Sequence, residues 1–398
     1  MQIVVIQVAQ LKITKKGEEN MKKKLAALLA TTLVVSSLTG CLNNTPPETK
    51  APETKVETEA AKETEAAKDT EAAKDTEAAK EEAPADATYT YNLDNIGEHT
   101  FSLSTTASSG SALADVTHHF ADKVSELSGG KMKVDVYEGS ALGSEAQNLE
   151  ALTAGTLDMA VIAVEFYVNS IPQVGAAILP YMYDDYDQVQ KVLEGEAGQY
   201  TSQQFLDVAK VKNLGYYVMA FRNMYTTKPI KSVDDMAGMK IRVPESSLYV
   251  DTFKMLGAAP TPLPMGEVYT AIDTGVVSGL ENTPDTCLNN SFFEVAKYFN
   301  MTNHLNAPTT FSMSAKVFDS LNEDEQNLLL EAGLQGSRYG LESTKTSDAE
   351  YRQQLKDKGM EFVESDVESM RAKIDYTAYP FMQSDEAKTL FDLIQKTK

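Results

Sequence analysis

Gly238-Met239-Lys240-Ile241-Arg242-Val243-Pro244, then Leu256-Gly257-Ala258-Ala259-Pro260-Thr261-Pro262, then Gly266-Glu267-Val268-Tyr269-Thr270-Ala271-Ile272-Asp273-Thr274-Gly275-Val276-Val277-Ser278-Gly279-Leu280-Glu281-Asn282 form the most informative stretch of this chain. Residues 239–243 read as a strand, 246–256 and 267–274 as helices, and 276–280 as a second strand. Working outward, 101–105 reads as a strand running into the small-residue loop 107–111. Ala112, Val116, Phe120, Val124 and Leu127 then recur near the helical period until Gly129-Gly130 stops them. Residues 131–137 alternate as a strand, 145–154 suit a helix, and 157–164 form an apolar run of buried-strand length. A strand is expected over 214–222, and a long helical stretch over 322–358 with Ser347 and Gly359 as break points. Such βαβ units imply a mostly parallel sheet with helices on both faces. About 300 residues of α/β pattern exceed one core, so two lobes with a cleft between them are expected.

Charge excludes whole classes of function. The 398 residues carry a formal net charge of -22. Residues 1–40 hold +4, 42–90 hold -7 and 91–398 hold -19. A body this acidic is repelled by nucleic-acid phosphates and anionic headgroups, so no nucleic-acid partner and no polybasic membrane footprint are expected. A small anion would need a local cluster of Arg or Lys. The two cysteines, Cys41 and Cys287, lie on opposite sides of a low-complexity stretch and offer neither a disulfide framework nor a Cys-based zinc site.

The N-terminal region reads as an address. Lys22-Lys23-Lys24, an uncharged run of 14 residues over 25–38, and Leu38-Thr39-Gly40-Cys41 have the layout of a signal peptide over 21–40. The run is shorter than the roughly 20 residues that span a bilayer as a helix. Leu-Thr-Gly-Cys resembles a bacterial lipobox, which assigns a lipid to Cys41 and places the protein outside the cytoplasm on the outer face of the cell membrane. Residues 1–20 do not fit a signal and are expected to be untranslated. Residues 41–88 contain four near-copies of Thr-Glu-Ala-Ala-Lys-Glu/Asp; six residues per repeat drift around a helix without building an apolar stripe, which suits a tether.

Catalytic chemistry finds little support. Adjacent His118 and His119 diverge by roughly 100° on a helix and do not share a metal easily. The sequence holds no His-x-x-x-His, nucleophile elbow or P-loop. Neither an enzyme, a metal nor a cofactor is expected.

The 238–282 block resembles the core signature of the solute-binding proteins of TRAP transporters, the tripartite ATP-independent systems that import organic acids. Gly129-Gly130-Lys131, Leu142-Gly143, Gly155-Thr156-Leu157-Asp158, Leu179-Pro180-Tyr181 and Thr302-Asn303-His304 fit the same family in the same order, over about residues 98 to 390. The resemblance implies an α/β, two-lobed periplasmic-binding-protein-like fold with a hinge, a long connecting helix and a ligand cleft between lobes. Lobe I is expected over 89–219 plus 308–347, and lobe II over 220–307 plus 348–398. The implied function is capture of a small organic acid, a sugar acid such as a uronate or a C4-dicarboxylate-like acid, and its delivery by a monomer to a TRAP-type permease. The other reading is a surface lipoprotein that uses the cleft for sensing or adhesion without a permease.

The resemblance also implies site residues. Arg242 matches the arginine that bridges the ligand carboxylate, Arg222 a second arginine, Asn282 the close of the Gly-x-Glu-Asn motif, and Met265 an often aromatic position. Glu145 and Glu245 fall where members place ligand-facing polar groups. Each has a plain competitor: a surface strand position for Arg242, a neighbouring carboxylate for Arg222, a helix cap near Pro284 for Asn282, packing for Met265, solvation for Glu145 and Glu245. His304 and Cys287 read as structural. Ser278 and Leu280 depart from the common residues of the family, which leaves the ligand's identity open.

Overall fold

A computed structural model describes residues 88–398. The expectations for 1–20, for the signal 21–40, for Cys41 and for the tether through 87 lie outside the described residues. The strands are β1 (His99–Ser104), β2 (Met132–Tyr137), β3 (Met159–Ala163), β4 (Val211–Tyr217), β5 (Arg222–Thr226), β6 (Lys240–Val243), β7 (Ala259–Pro262), β8 (Gly279–Asn282), β9 (Tyr298–Leu305), β10 (Thr309–Ser314) and β11 (Glu361–Glu364). They build two sheets, β2-β1-β3-β10-β4 and β11-β9-β5-β8-β6-β7.

Both sheets are mixed, which corrects the expectation of mostly parallel pairing. β1 runs parallel to β2 and β3, but β10 enters antiparallel between β3 and β4. In the second sheet β6 is parallel to β7 and β8, while β5 is antiparallel to both β8 and β9. The cause is connectivity: β4, β5, β9 and β10 cross between the sheets directly, without an intervening crossover helix. For the same reason the single strand expected over 214–222 is two strands. β4 ends at Tyr217 in the first sheet, 218–221 carry the chain across, and Arg222 opens β5 in the second.

Local signals place the helices well. Ser111 accepts a hydrogen bond from the Ala114 amide and starts helix Ala112–Leu127, whose Val116, Phe120 and Val124 are fully buried against the first sheet. Ser144 and Gln147 form a capping box at the start of helix Glu145–Ala154. Asn322 and Glu325 do the same for helix Glu323–Asp357, which at 35 residues is about 52 Å long. This helix passes Ser347 without a break, because the Ser347 hydroxyl donates back to the Ser343 carbonyl at 2.6 Å and leaves the backbone ladder intact. It lies on β4 through glycines: a Cβ on Gly215 would sit 2.4 Å from the Gly333 carbonyl oxygen, and one on Gly340 would meet the Tyr217 ring at 2.4 Å.

Among the described residues three apolar cores result. One packs the first sheet against helix Ala112–Leu127 and the long helix; one lies within the second sheet around Tyr225, Phe299 and Leu355; the third runs from Leu149 through Tyr249 and Phe253 to Ile394. The C-terminal helix Asp385–Thr397 inserts Ala387, Leu390 and Ile394 into that third core beside 172–178 and 196–204.

Candidate functional site

The carboxyl ends of β1, β3, β6 and β8 converge on one cavity of about 590 Å³, the usual place for a ligand in sheets of this kind. The 105–111 loop, the start of helix Glu145–Ala154 and residues 163–166 wall it from the first sheet. Arg222, Arg242, Pro244, 264–267 and Asn282 wall it from the second. Cross-cleft hydrogen bonds already join the two sides. Ser108 Oγ donates to Asn290 Oδ1 at 3.0 Å, and Asn169 spans to the Glu245 carbonyl at 2.6 Å and the Ser247 amide at 3.1 Å.

All six residues singled out above border this cavity: Arg242, Arg222, Asn282, Met265, Glu245 and Glu145. Their states differ. Arg222, 5% exposed, is forked onto Glu281 on the neighbouring strand, with Nε to Oε2 at 2.6 Å and Nη2 to Oε1 at 2.8 Å. Burial alone works against the Arg222 charge, but Glu281 outweighs it and holds the guanidinium firmly protonated. Its plane lies 5.2 Å from the Tyr249 ring. Glu281 also faces His304 Nε2 at 3.3 Å, which fixes His304 in a structural network with Thr302.

Arg242 is 2% exposed and, among the described residues, faces no carboxylate within salt-bridge distance. Its Nε and Nη2 both donate to the Leu263 carbonyl, at 2.9 and 2.7 Å, and its Nη1 has no partner. Desolvation, and after it the like charge of Arg222, pull its proton affinity down to about 10, an unusual value for a guanidinium and still charged at neutral pH. Arg242 is thus a buried cation at the cavity wall with one donor end unused.

Glu145 accepts from Thr106 Oγ1 at 3.0 Å and from the Ala163 amide at 2.8 Å, and desolvation raises its carboxyl above the ordinary range. Asn282 Oδ1 accepts from the Thr283 amide at 2.8 Å, one residue before helix Pro284–Asn289; the N-cap position itself belongs to Thr283. Met265 sits at the head of a short turn after Pro264 and is partly buried. Cys287 is buried, and desolvation pushes its thiol up.

Two groups escaped the sequence reading. Glu281 stands inside the quoted block, yet its partner is 59 residues away and only strand pairing brings them together. Glu165 lines the cavity 3.6 Å from Arg222 Nη1, and a signal for it was present: it is the only charged residue between Met159 and Tyr183.

The family model for bacterial extracellular solute-binding proteins, family 7, matches residues 103–383, which span both sheets and every wall of the cavity. The chain belongs to that family. As a family 7 protein it is a solute-binding protein and not an enzyme. A solute-binding protein of Roseobacter denitrificans is 33% identical to it over 253 residues, 64% of this chain and 78% of its relative. The crystal structure of that relative, a TRAP periplasmic solute-binding protein with bound L-galactonate, matches with a TM-score of 0.70 over 76% of this chain and 99% of its own. A TRAP solute-binding protein from Bradyrhizobium sp., in complex with α/β-D-galacturonate, is 31% identical with a TM-score of 0.72, covering 75% of this chain and 99% of its own. One from Sulfitobacter sp. with β-D-galacturonate is 28% identical with a TM-score of 0.71 and the same coverage. The family 7 fold is thus the two-lobed α/β architecture expected from the sequence.

Proposed function

We propose that this family 7 protein captures a sugar acid, a hydroxylated carboxylic acid of uronate or aldonate type, in the cavity between its sheets and hands it to a TRAP-type membrane permease. The observation that carries the reading is Arg242: a buried guanidinium with an unpartnered Nη1, beside a second arginine already neutralised by Glu281. One net local cation suits one carboxylate. Glu145, Glu245, Asn282 and Thr106 then supply acceptors and donors for hydroxyls, and the galacturonate, galactonate and glucuronate held by related proteins are acids of this type. Glu145, close to the cations, disfavours a second carboxylate on the ligand. Residues 89–219 with 308–347 act as one lobe and 220–307 with 348–398 as the other, and the protein works as a monomer held to the membrane by lipid on Cys41.

A thermal-shift screen of uronates, aldonates and C4-dicarboxylates, followed by calorimetry of each hit beside its methyl ester, tests the ligand class. The acids should raise the melting temperature, since binding stabilises by RT ln(1 + [L]/Kd), and the esters should not. Equal binding of ester and acid would remove Arg242 from its role.

A further inference from the structure

Glu165 leads beyond this reading, on which it rests. The side chain is 2% exposed, its Oε2 has no hydrogen-bond partner, and it borders the same cavity as the unpartnered Nη1 of Arg242. The cation nearest to it, Arg222 Nη1 at 3.6 Å, lies beyond good hydrogen-bond length and belongs to a guanidinium already forked onto Glu281. A buried acceptor without a donor and a buried donor without an acceptor therefore share one cavity. We propose that Glu165 is the second half of the carboxylate seat: in its neutral form it donates a hydrogen bond to the ligand carboxylate held by Arg242, so that each acid captured requires a proton on Glu165.

Charge requires the proton. The groups around Glu165 are Glu145 from helix Glu145–Ala154, Arg222 from β5, Arg242 from β6, Tyr249 from helix Ser247–Met255, and Glu281 from β8, with His304 of β9 behind Glu281. Two guanidiniums thus face Glu281, Glu145, Glu165 and the ligand carboxylate. An ionised Glu165 leaves the site with excess negative charge in a desolvated pocket, whereas a neutral one removes a repulsion and adds a donor. Burial, opposed by Arg222 and reinforced by Glu145, pushes the Glu165 carboxyl up to about 8, so the protonated form prevails at neutral pH before ligand arrives. Glu145 is placed differently, because both of its oxygens already accept hydrogen bonds.

The test is calorimetry with D-galacturonate, D-glucuronate and L-galactonate from pH 6 to pH 9, in buffers of different ionisation heat, a range over which these acids remain ionised. The Kd should be level between pH 6 and 7 and weaken about tenfold between pH 7 and 9, with proton uptake on binding approaching one at the alkaline end. Glu165→Gln, which keeps a donor without titrating, should bind at pH 7 within about threefold of wild type and lose the pH dependence; Glu145→Gln should keep it. A level profile without proton uptake in the wild type overturns the proposal, and so does a slope that survives Glu165→Gln. The proton count needs no variant and decides the matter even if Glu165→Gln folds poorly. Failure of all three acids to bind would overturn the sugar-acid reading along with this one, whereas binding without a proton overturns this one alone.

Discussion

Arg222 and Arg242 share a side chain and the same cavity, yet differ in what their forks hold. Arg222 is committed to Glu281, while Arg242 rests on one backbone carbonyl and keeps an end in reserve. Removing Arg242 should therefore cost binding and little else: Arg242→Ala should weaken a bound sugar acid by about 30- to 4,000-fold, the range for truncating one partner of a buried pair. Arg242→Lys should recover little, because a point charge lacks the planar fork; calorimetry reads both, and Arg242→Ala within about threefold of wild type would refute the assignment. Glu281→Gln should act on folding instead, since it strands the Arg222 charge in a dry interior; denaturant melts should show a loss of about 3 to 5 kcal/mol. Glu165 adds a pH signature without ligand. Its folded carboxyl titrates near 8 and an unfolded one near 4.3, so between those values the folded state binds more protons and stability falls as pH rises. The melting temperature of wild type should drop from pH 5 to pH 8, and Glu165→Gln should flatten that drop.

Both arginines were read from the resemblance to a family signature, and both border the cavity. Which of the two keeps a free end was not legible, because it depends on the carboxylate that strand pairing brings alongside. At the scale of elements the same division holds. Helix Ala112–Leu127 announced itself through apolar positions recurring at the helical period. β9, β10 and β11 did not, since Tyr298–Leu305 and Thr309–Ser314 mix Asn, Thr and Ser with apolar residues and are buried by neighbours distant in sequence. The glycines of the long helix are a further case. They look like helix breakers, yet they let it settle on β4, where a Cβ at Gly333 would lie 2.1 Å from the Leu214 carbonyl oxygen. Neither backbone atom has room to yield, so Gly333→Ala should cost about 1 to 3 kcal/mol in a denaturant melt. Affinity for ligand should stay unchanged, because the contact lies away from the cavity; an unaltered melt would mean the helix can lift off the strand.

For the molecule as a whole, both sheets line the cavity, so a ligand seated there would be touched from both sides only with the two walls together. Ligand should therefore favour the closed arrangement, and small-angle scattering should show a smaller radius of gyration at saturation. Identical curves with and without ligand would describe a rigid pocket. The described body carries most of the chain's negative charge, so an incoming anion is opposed at a distance, and the proposed seat at Arg242 has to offset that opposition locally.

The interleaving of the two sheets also governs how the chain comes into being. Thr310 pairs with Ile162 across 148 residues, so the first sheet has no β10 until residue 314 has been made, and the second waits for β11 at residue 364. No early stretch can close a lobe by itself, and topologies dominated by such distant pairings fold slowly. Slowness of this kind suits a protein that works outside the cytoplasm: a polypeptide that stays open until nearly its last residue remains threadable across a membrane, and acquires its shape on the far side.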